Sequence, residues 1–181
     1  FFNKEDLKII CSPTSLRYVY HSLLILKYIE SNNCSNIVEV GCGYGGLCLS
    51  INYFMSDFSV NINTYNIVDL SEPINLIEKY LNLHKENINT KIIYHNSLTY
   101  GENIHDDNLF FISNYCYTEI SNEHNANYTN ILIPKVKNGF IIWQNGGNKG
   151  SYPITNAKNI LKKEVMKIEE ERPQTDAGYD I

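Results

Sequence analysis

The sequence predicts an α/β sandwich: a mostly parallel central sheet with helices on both faces, preceded by an N-terminal helix. Three observations predict it. Short apolar runs near residues 36–40, 62–68, 91–95, 109–112 and 140–143 alternate with segments of helical periodicity. The run Leu109-Phe110-Phe111-Ile112 is apolar throughout, as a strand covered on both faces must be. Glycines at 41, 43, 45 and 46 fall directly between a strand and a helix. Strands that alternate with helices, joined by right-handed crossovers, give a doubly wound sheet.

The elements follow in order. Ser12-Pro13-Thr14-Ser15 has the form of a helix start, with a hydroxyl to accept from a free N–H and a proline tolerated in the first turn. Leu16, Val19, Tyr20, Leu23, Leu24, Leu26, Lys27 and Ile29 recur at helical spacing up to the turn cluster Ser31-Asn32-Asn33. A strand at 36–40 runs into the glycines, and a helix over 45–54 follows. A second strand over 62–68 ends at Asp69, and a helix over 73–84 carries Ile74, Ile77 and Leu81. A third strand covers 91–95, and the polar stretch 96–108 is expected to be loop. The fourth strand is 109–112. A helix over 121–136 then shows Tyr128, Ile131, Leu132 and Val136 on one face. Gly139 opens a fifth strand, and a helix at 156–163 and a strand at 165–168 are expected to follow.

With 181 residues, 43% of them hydrophobic, the chain suits one domain. Residues 1–35 are expected to form an N-terminal helical segment and 36–181 the core, with the last hairpin truncated at the C-terminus. The first residue is Phe, so the sequence is expected to be trimmed or part of a longer chain. A formal net charge of −5 argues against a duplex-binding protein, and no nucleic-acid partner is expected. Lys162-Lys163 and Glu169-Glu170-Glu171-Arg172 read as solvated charge runs. Five scattered cysteines without a C-x-x-C pair argue against a disulfide framework or a zinc site, and for a reducing, cytoplasmic setting. No apolar run is long enough to span a bilayer. Abundant Asn, Ile, Tyr and Lys, with Ala only at 126, 157 and 177, indicate an AT-rich genome, bacterial, protist or viral.

The glycine segment carries the chemistry. A tight turn after a strand, close approach of a ligand to the backbone and packing of the next helix all require residues without Cβ. The helix N-terminus also offers free amides. Gly41, Gly43 and Gly46 satisfy the dinucleotide spacing of oxidoreductases as well. Asp69, at the end of the second strand, suits recognition of ribose hydroxyls in either reading; its other reading is a helix cap. Glu39, two residues before the first glycine, favours a cofactor with a cationic methionine end over an anionic pyrophosphate. The chain is also short for a dinucleotide domain plus a catalytic domain. Cys42 beside the turn reads as a small packing residue.

Val38-Glu39-Val40-Gly41-Cys42-Gly43-Tyr44-Gly45-Gly46, with Asp69, resembles the first and second motifs of class I S-adenosylmethionine-dependent methyltransferases, whose core is Rossmann-like. The resemblance covers residues 14–170 and implies a sheet ordered 3-2-1-4-5-7-6 with an antiparallel seventh strand. After Glu171 only Tyr179-Asp180-Ile181 offers strand character. The resemblance implies S-adenosylmethionine as cofactor, held by Glu39, Gly41, Gly43, Gly45, Asp69, Asn96, Ser97 and Asn114. Asn96 stands in the loop that meets adenine in that family, where an acid is usual; it also reads as a plain turn residue.

On the substrate side, Asn114 fits the first position of the Asn/Asp-Pro-Pro-Tyr/Phe motif of amino-methyltransferases, but Tyr115 and Cys116 replace both prolines. N-methylation of a flipped base is therefore not expected. Ser113 and Asn114 are poor substitutes for the strand-end acids of metal-dependent catechol-type enzymes, so no catalytic metal is expected. Ser12 to Tyr18, Ile112 to Tyr115 and Gly139 to Asn145 together resemble sugar O-methyltransferases, which implies a small-molecule or sugar acceptor. O-methylation needs alignment of the hydroxyl and removal of its proton. The candidate bases are Glu119 and His124, then His21, with His95 a further titratable group. Tyr115, Tyr117 and Arg17 are the candidate substrate contacts, against ordinary packing for the tyrosines and a solvated arginine. Two other classes stay open: an NAD(P)-dependent oxidoreductase, and a methyltransferase-like domain that binds without catalysis.

Overall fold

The computed structural model describes residues 11–144, 156–168 and 179–180. Asn145 and the charge run 169–172 lie outside the described residues. Helix α1 spans Pro13–Asn32. It starts where Ser12 Oγ accepts from the Ser15 amide at 3.0 Å and ends at Asn33 in the left-handed region, φ 51°. Its buried stripe is His21, Ser22, Ile25, Leu26 and Ile29, while Leu16 and Leu23 of the predicted stripe are exposed. The other elements are β1 (Asn36–Val40), α2 (Gly46–Phe54), β2 (Thr64–Asp69), α3 (Ser71–Leu83), β3 (Lys91–Asn96) and β4 (Leu109–Asn114). They are followed by α4 (Cys116–Glu119), α5 (Asn122–Ile131), β5 (Val136–Gln144), α6 (Ala157–Leu161) and β6 (Tyr179–Asp180).

The strand order is β3-β2-β1-β4-β5-β6. The first five strands are parallel; Trp143 and Gln144 of β5 pair antiparallel with Asp180 and Tyr179. The antiparallel strand expected in seventh place thus lies directly against β5. Side chains alternate between two cores. Ile37, Ile67, Phe110, Ile112 and Phe140 face α1, α2 and α3. Val38, Val68, Leu109, Phe111 and Trp143 face Tyr117, Tyr128, Leu132 and Ala157 on the other side. This is the predicted sandwich with helices on both faces.

Three expectations are corrected. The helix expected over 121–136 stops at Ile131, because Pro134 sits in a 3₁₀ turn over Ile133–Lys135; β5 starts at Val136, before Gly139. Gly139 lies inside the strand, where a Cβ would meet the Phe111 carbonyl oxygen at 2.9 Å. Residues 165–168 form no strand among the described residues; Val165 and Met166 are exposed. A short helix, α4, was not predicted.

After a 3₁₀ turn over Ser97–Thr99, the segment up to residue 108 is pinned by polar contacts. Asn66, buried on β2, donates to Asp106 Oδ2 at 2.7 Å and pairs with His95 Nε2 at 2.8 Å. The Lys135 ammonium donates to the carbonyls of Gly101, Glu102 and Ile104.

Candidate functional site

The strand order reverses between β1 and β4, and open α/β sheets bind ligands at that switch point, beyond the carboxyl ends of the strands. A cleft of about 510 Å³ opens there. It brings together Gly41 and Gly43 after β1, Asp69 after β2, Asn114, Tyr115 and Glu119 after β4, and Arg17 from α1. Its size suits a cofactor-sized ligand. A larger cavity, about 650 Å³, runs along β5 and residues 163–168. It has no glycine turn and no strand-end acid, so the smaller cleft is the chemical candidate.

The glycines have different reasons. A Cβ on Gly41 would lie 2.2 Å from the Cβ of Cys116, so Gly41 lets α4 close against the turn. Gly45 faces Ile77 and Leu81 of α3, away from the cleft, and Gly46 makes room for the ring of Tyr18. Gly43 has φ 59°, and its missing Cβ would find only the Tyr18 hydroxyl, at 3.5 Å. Among the described residues nothing packs closely on that side of Gly43, and its positive φ by itself favours glycine; the open side leaves room for a ligand to approach the backbone.

Asp69 braces this turn. Its Oδ2 accepts from the Cys42 amide and its Oδ1 from the Leu70 amide, both at 2.8 Å. It is not the cap of α3: the cap position is Leu70, with no side-chain cap bond. Each carboxylate oxygen keeps a second lone pair for a hydroxyl donor.

On the opposite wall, Tyr115 has φ 72° and ψ −43°, a conformation that costs an aromatic residue about 1–3 kcal/mol. Its amide donates to Ile142 at 3.2 Å and its carbonyl accepts from the Thr118 hydroxyl at 2.9 Å, which hold the bend. Sequence reasoning missed Ser113, which ties the wall together. Its buried hydroxyl donates to the Val40 carbonyl and accepts from the Tyr117 amide, both at 3.0 Å. Asn114 Oδ1 is buried and has no hydrogen-bond partner among the described residues. A buried acceptor left without a donor is costly, and at a cleft wall it is open to a donor from outside the described residues.

The remaining candidates lie elsewhere. Glu39 is buried beneath the turn, where its Oε2 accepts from the Tyr65 hydroxyl at 2.6 Å. Desolvation pushes its carboxyl up to about 7, against the lowering effect of hydrogen bonds from Tyr65 and Cys42. Asn96 donates to Ser71 Oγ at 2.9 Å and caps the turn after β3 by accepting from Leu98. The Ser97 carbonyl accepts from Tyr128. Tyr117 is fully buried, with its hydroxyl against Thr129 and its ring beside Phe111 and Trp143. It is therefore a core residue and not a substrate contact, because the α4 turn points it into the second face. His124 Nδ1 pairs with the Tyr100 hydroxyl at 2.8 Å, outside the residues lining the cleft. His21 is buried under α1 beside Phe140; burial and then the Arg17 charge hold its imidazole down to about 4. His95 sits in the Asn66 network, with its pKa lowered by burial. Of the named bases only Glu119 lines the cleft.

A doubly wound sheet of this order, with its glycine turn and strand-end acid at the switch point, is the class I S-adenosylmethionine-dependent methyltransferase fold. Within that class the chain belongs to the family described as mitochondrial small ribosomal subunit Rsm22, which matches residues 18–174. No curated protein matches the sequence. Among solved structures, the methyltransferase domain of bacterial CtHen1-CN superposes with TM-score 0.67 at 12% identity, over 92% of this chain and 96% of that one. An S-adenosylmethionine-dependent methyltransferase from Clostridium acetobutylicum superposes with TM-score 0.62 at 12% identity, over 90% and 89%. An O-methyltransferase family protein from Burkholderia thailandensis gives 0.60 at 10% identity; this chain covers 56% of its length. At such identities the likeness concerns the fold.

Proposed function

We propose that the chain is an S-adenosylmethionine-dependent methyltransferase acting on a hydroxyl oxygen of a sugar or glycan precursor. The observation that carries the cofactor reading is the open side of Gly43 facing a turn braced by Asp69 at the switch point. The residues fit the cofactor. Asp69 has lone pairs for the ribose hydroxyls, Gly43 lets a ligand reach the backbone, and Asn114 Oδ1 is a buried acceptor without a donor among the described residues. Asn96, joined to Ser71 across the ends of β3 and α3, borders the adenine side.

When bound, the cofactor supplies an activated methyl group. This chain has to orient the acceptor hydroxyl and take its proton. Glu119 at the cleft lip is the proton acceptor in this reading, Arg17 holds an anionic or polar group at the mouth, and the bent Tyr115 sets the wall against which the acceptor lies. In this reading the transfer needs no metal, because Ser113 and Asn114 stand at the end of β4 where a metal-dependent enzyme would place acids. No helix among the described residues is long and apolar enough to cross a membrane.

Thermal shift and calorimetry with S-adenosylhomocysteine, NAD and NADP test the cofactor. Stabilisation by S-adenosylhomocysteine alone is expected; stabilisation by NAD alone sinks the reading in favour of an oxidoreductase. Turnover on hydroxylated acceptors separates an enzyme from a binding domain. The ribosomal description of the family favours a second reading, in which the acceptor is ribosomal. Methyl incorporation into ribosomal subunits and not into sugars would select it.

A further inference from the structure

The wall that carries Tyr115 and Glu119 is fastened to the glycine turn as well as to its own strand. The β1–β4 ladder ends at Glu39 and Ile112. One residue further on, the Ser113 hydroxyl takes over: it donates to the Val40 carbonyl and accepts from the Tyr117 amide, both at 3.0 Å. Ser113 is fully buried and stands behind the wall, outside the residues that line the cleft. A second fastening lies beside it, where the Cys116 side chain fills the place of the Cβ that Gly41 lacks. Helix α4 has four residues, too few to hold a helix by itself, and it starts from Tyr115 in a conformation that its surroundings must maintain. Both ends of α4 reach the cleft, through Tyr115 and Cys116 on one side and Glu119 on the other. Beneath the turn, Asp69 holds the Cys42 amide, and the Gly41 amide donates to the Val68 carbonyl at 3.1 Å. The Ser113 hydroxyl thus bridges the end of β1, where the turn begins, and α4, where the wall stands.

Resting on the proposed cofactor, we infer that Ser113 is a positioning residue that couples the cofactor turn to the acceptor wall: filling the turn stiffens α4 and thereby sets Tyr115 and Glu119 for the acceptor. The connection is contiguous. A ligand seated on Gly43 and Asp69 restrains Cys42, Gly41 and Val40, which follow one another in the chain. Val40 holds the Ser113 hydroxyl and Gly41 abuts Cys116, so both restraints arrive at α4. Order gained there on cofactor binding is order that the acceptor no longer has to impose. The acceptor therefore binds more tightly after the cofactor than before it, and by linkage it tightens the cofactor in turn. Ser113 does this without touching either ligand.

The test is amide hydrogen exchange, read residue by residue by NMR, with and without saturating S-adenosylhomocysteine. The diagnostic amides are Thr118 and Ile120, which donate to the Tyr115 and Cys116 carbonyls and keep those acceptors when Ser113 is changed. In the native protein the ligand should slow their exchange about 5–150-fold, the usual range of coupling between two sites. In Ser113→Ala the ligand should still bind and still protect the Cys42 amide, while its effect on Thr118 and Ile120 falls below about twofold. A merely structural tie would speed exchange with and without ligand alike and leave that ratio unchanged. Ser113→Thr keeps the hydroxyl and should restore the ratio; a ratio as low as in the alanine variant overturns the role of the hydroxyl. An unchanged ratio in Ser113→Ala, or no ligand effect at Thr118 and Ile120 in the native protein, overturns this inference and leaves the cofactor reading standing. If Ser113→Ala fails to fold, Ser113→Cys keeps the volume with a weaker hydrogen-bonding group, and a full ligand effect there overturns the inference. Failure of the native protein to bind S-adenosylhomocysteine overturns both.

Discussion

Replacing Glu39 by Gln should change how the ligand-free protein's stability depends on pH. The native carboxyl ionises near pH 7 instead of its ordinary 4.5, because burial outweighs its hydrogen bonds. A folded-state pKa that is raised means that the folded state binds the proton more tightly. The stability this gives is fully present below pH 4.5 and is lost as pH rises through 7. One pKa unit is about 1.4 kcal/mol, so the full loss is about 3 kcal/mol, most of it between pH 5 and 7. Glutamine keeps the shape and cannot titrate. The buried His21, held neutral down to about 4, has the opposite sign: its contribution is lost as pH falls from 6.5. The native profile alone therefore mixes two slopes, and the difference between native protein and Glu39→Gln isolates one. Urea unfolding at pH 4 to 8 should show native stability falling by about 3 kcal/mol relative to the variant, or about 6–12 °C in melting temperature. Parallel profiles would refute the argument, because Glu39 would then be ionised and solvated as in the unfolded chain.

Other predictions concern the cleft. Gly43→Val should abolish cofactor binding, measured by calorimetry, while the chain stays folded by circular dichroism, because the side chain enters the open side of the turn. Asp69→Ala should weaken cofactor binding by about 1.5–3 kcal/mol, the worth of hydrogen bonds to a charged group. Part of that loss should persist with an analogue lacking both ribose hydroxyls, because Asp69 also holds the Cys42 amide. Glu119→Gln should lower turnover by about 10²–10⁴-fold with cofactor affinity intact, as expected for loss of a general base. Full activity would move the base elsewhere. Excess EDTA should leave turnover unchanged; loss restored by magnesium would overturn the metal-free mechanism.

The sequence by itself determined the alternation of strands and helices, the place of the glycine turn and the acid that ends β2. Those features are local: apolar periodicity declares which face is buried, and a turn directly after a strand must be built from glycine. It also located β4 and the wall beginning at Asn114. What it left open depended on contacts between distant segments. That Gly41 yields to Cys116, while Gly43 meets only the Tyr18 hydroxyl among the described residues, follows from how α4 and α1 dock, which no spacing encodes. Tyr115 and Tyr117 look equivalent in sequence; the bend at Tyr115 sends one to the cleft wall and the other into the core. Glu119, His124 and His21 were alike as titratable groups, and only the packing of α1, α4 and α5 decided which lines the cleft. Glu39 was legible as an unusual acid at a strand end. Its state was not, because the pKa of a carboxyl is set by the water and charge that the folded chain removes from around it.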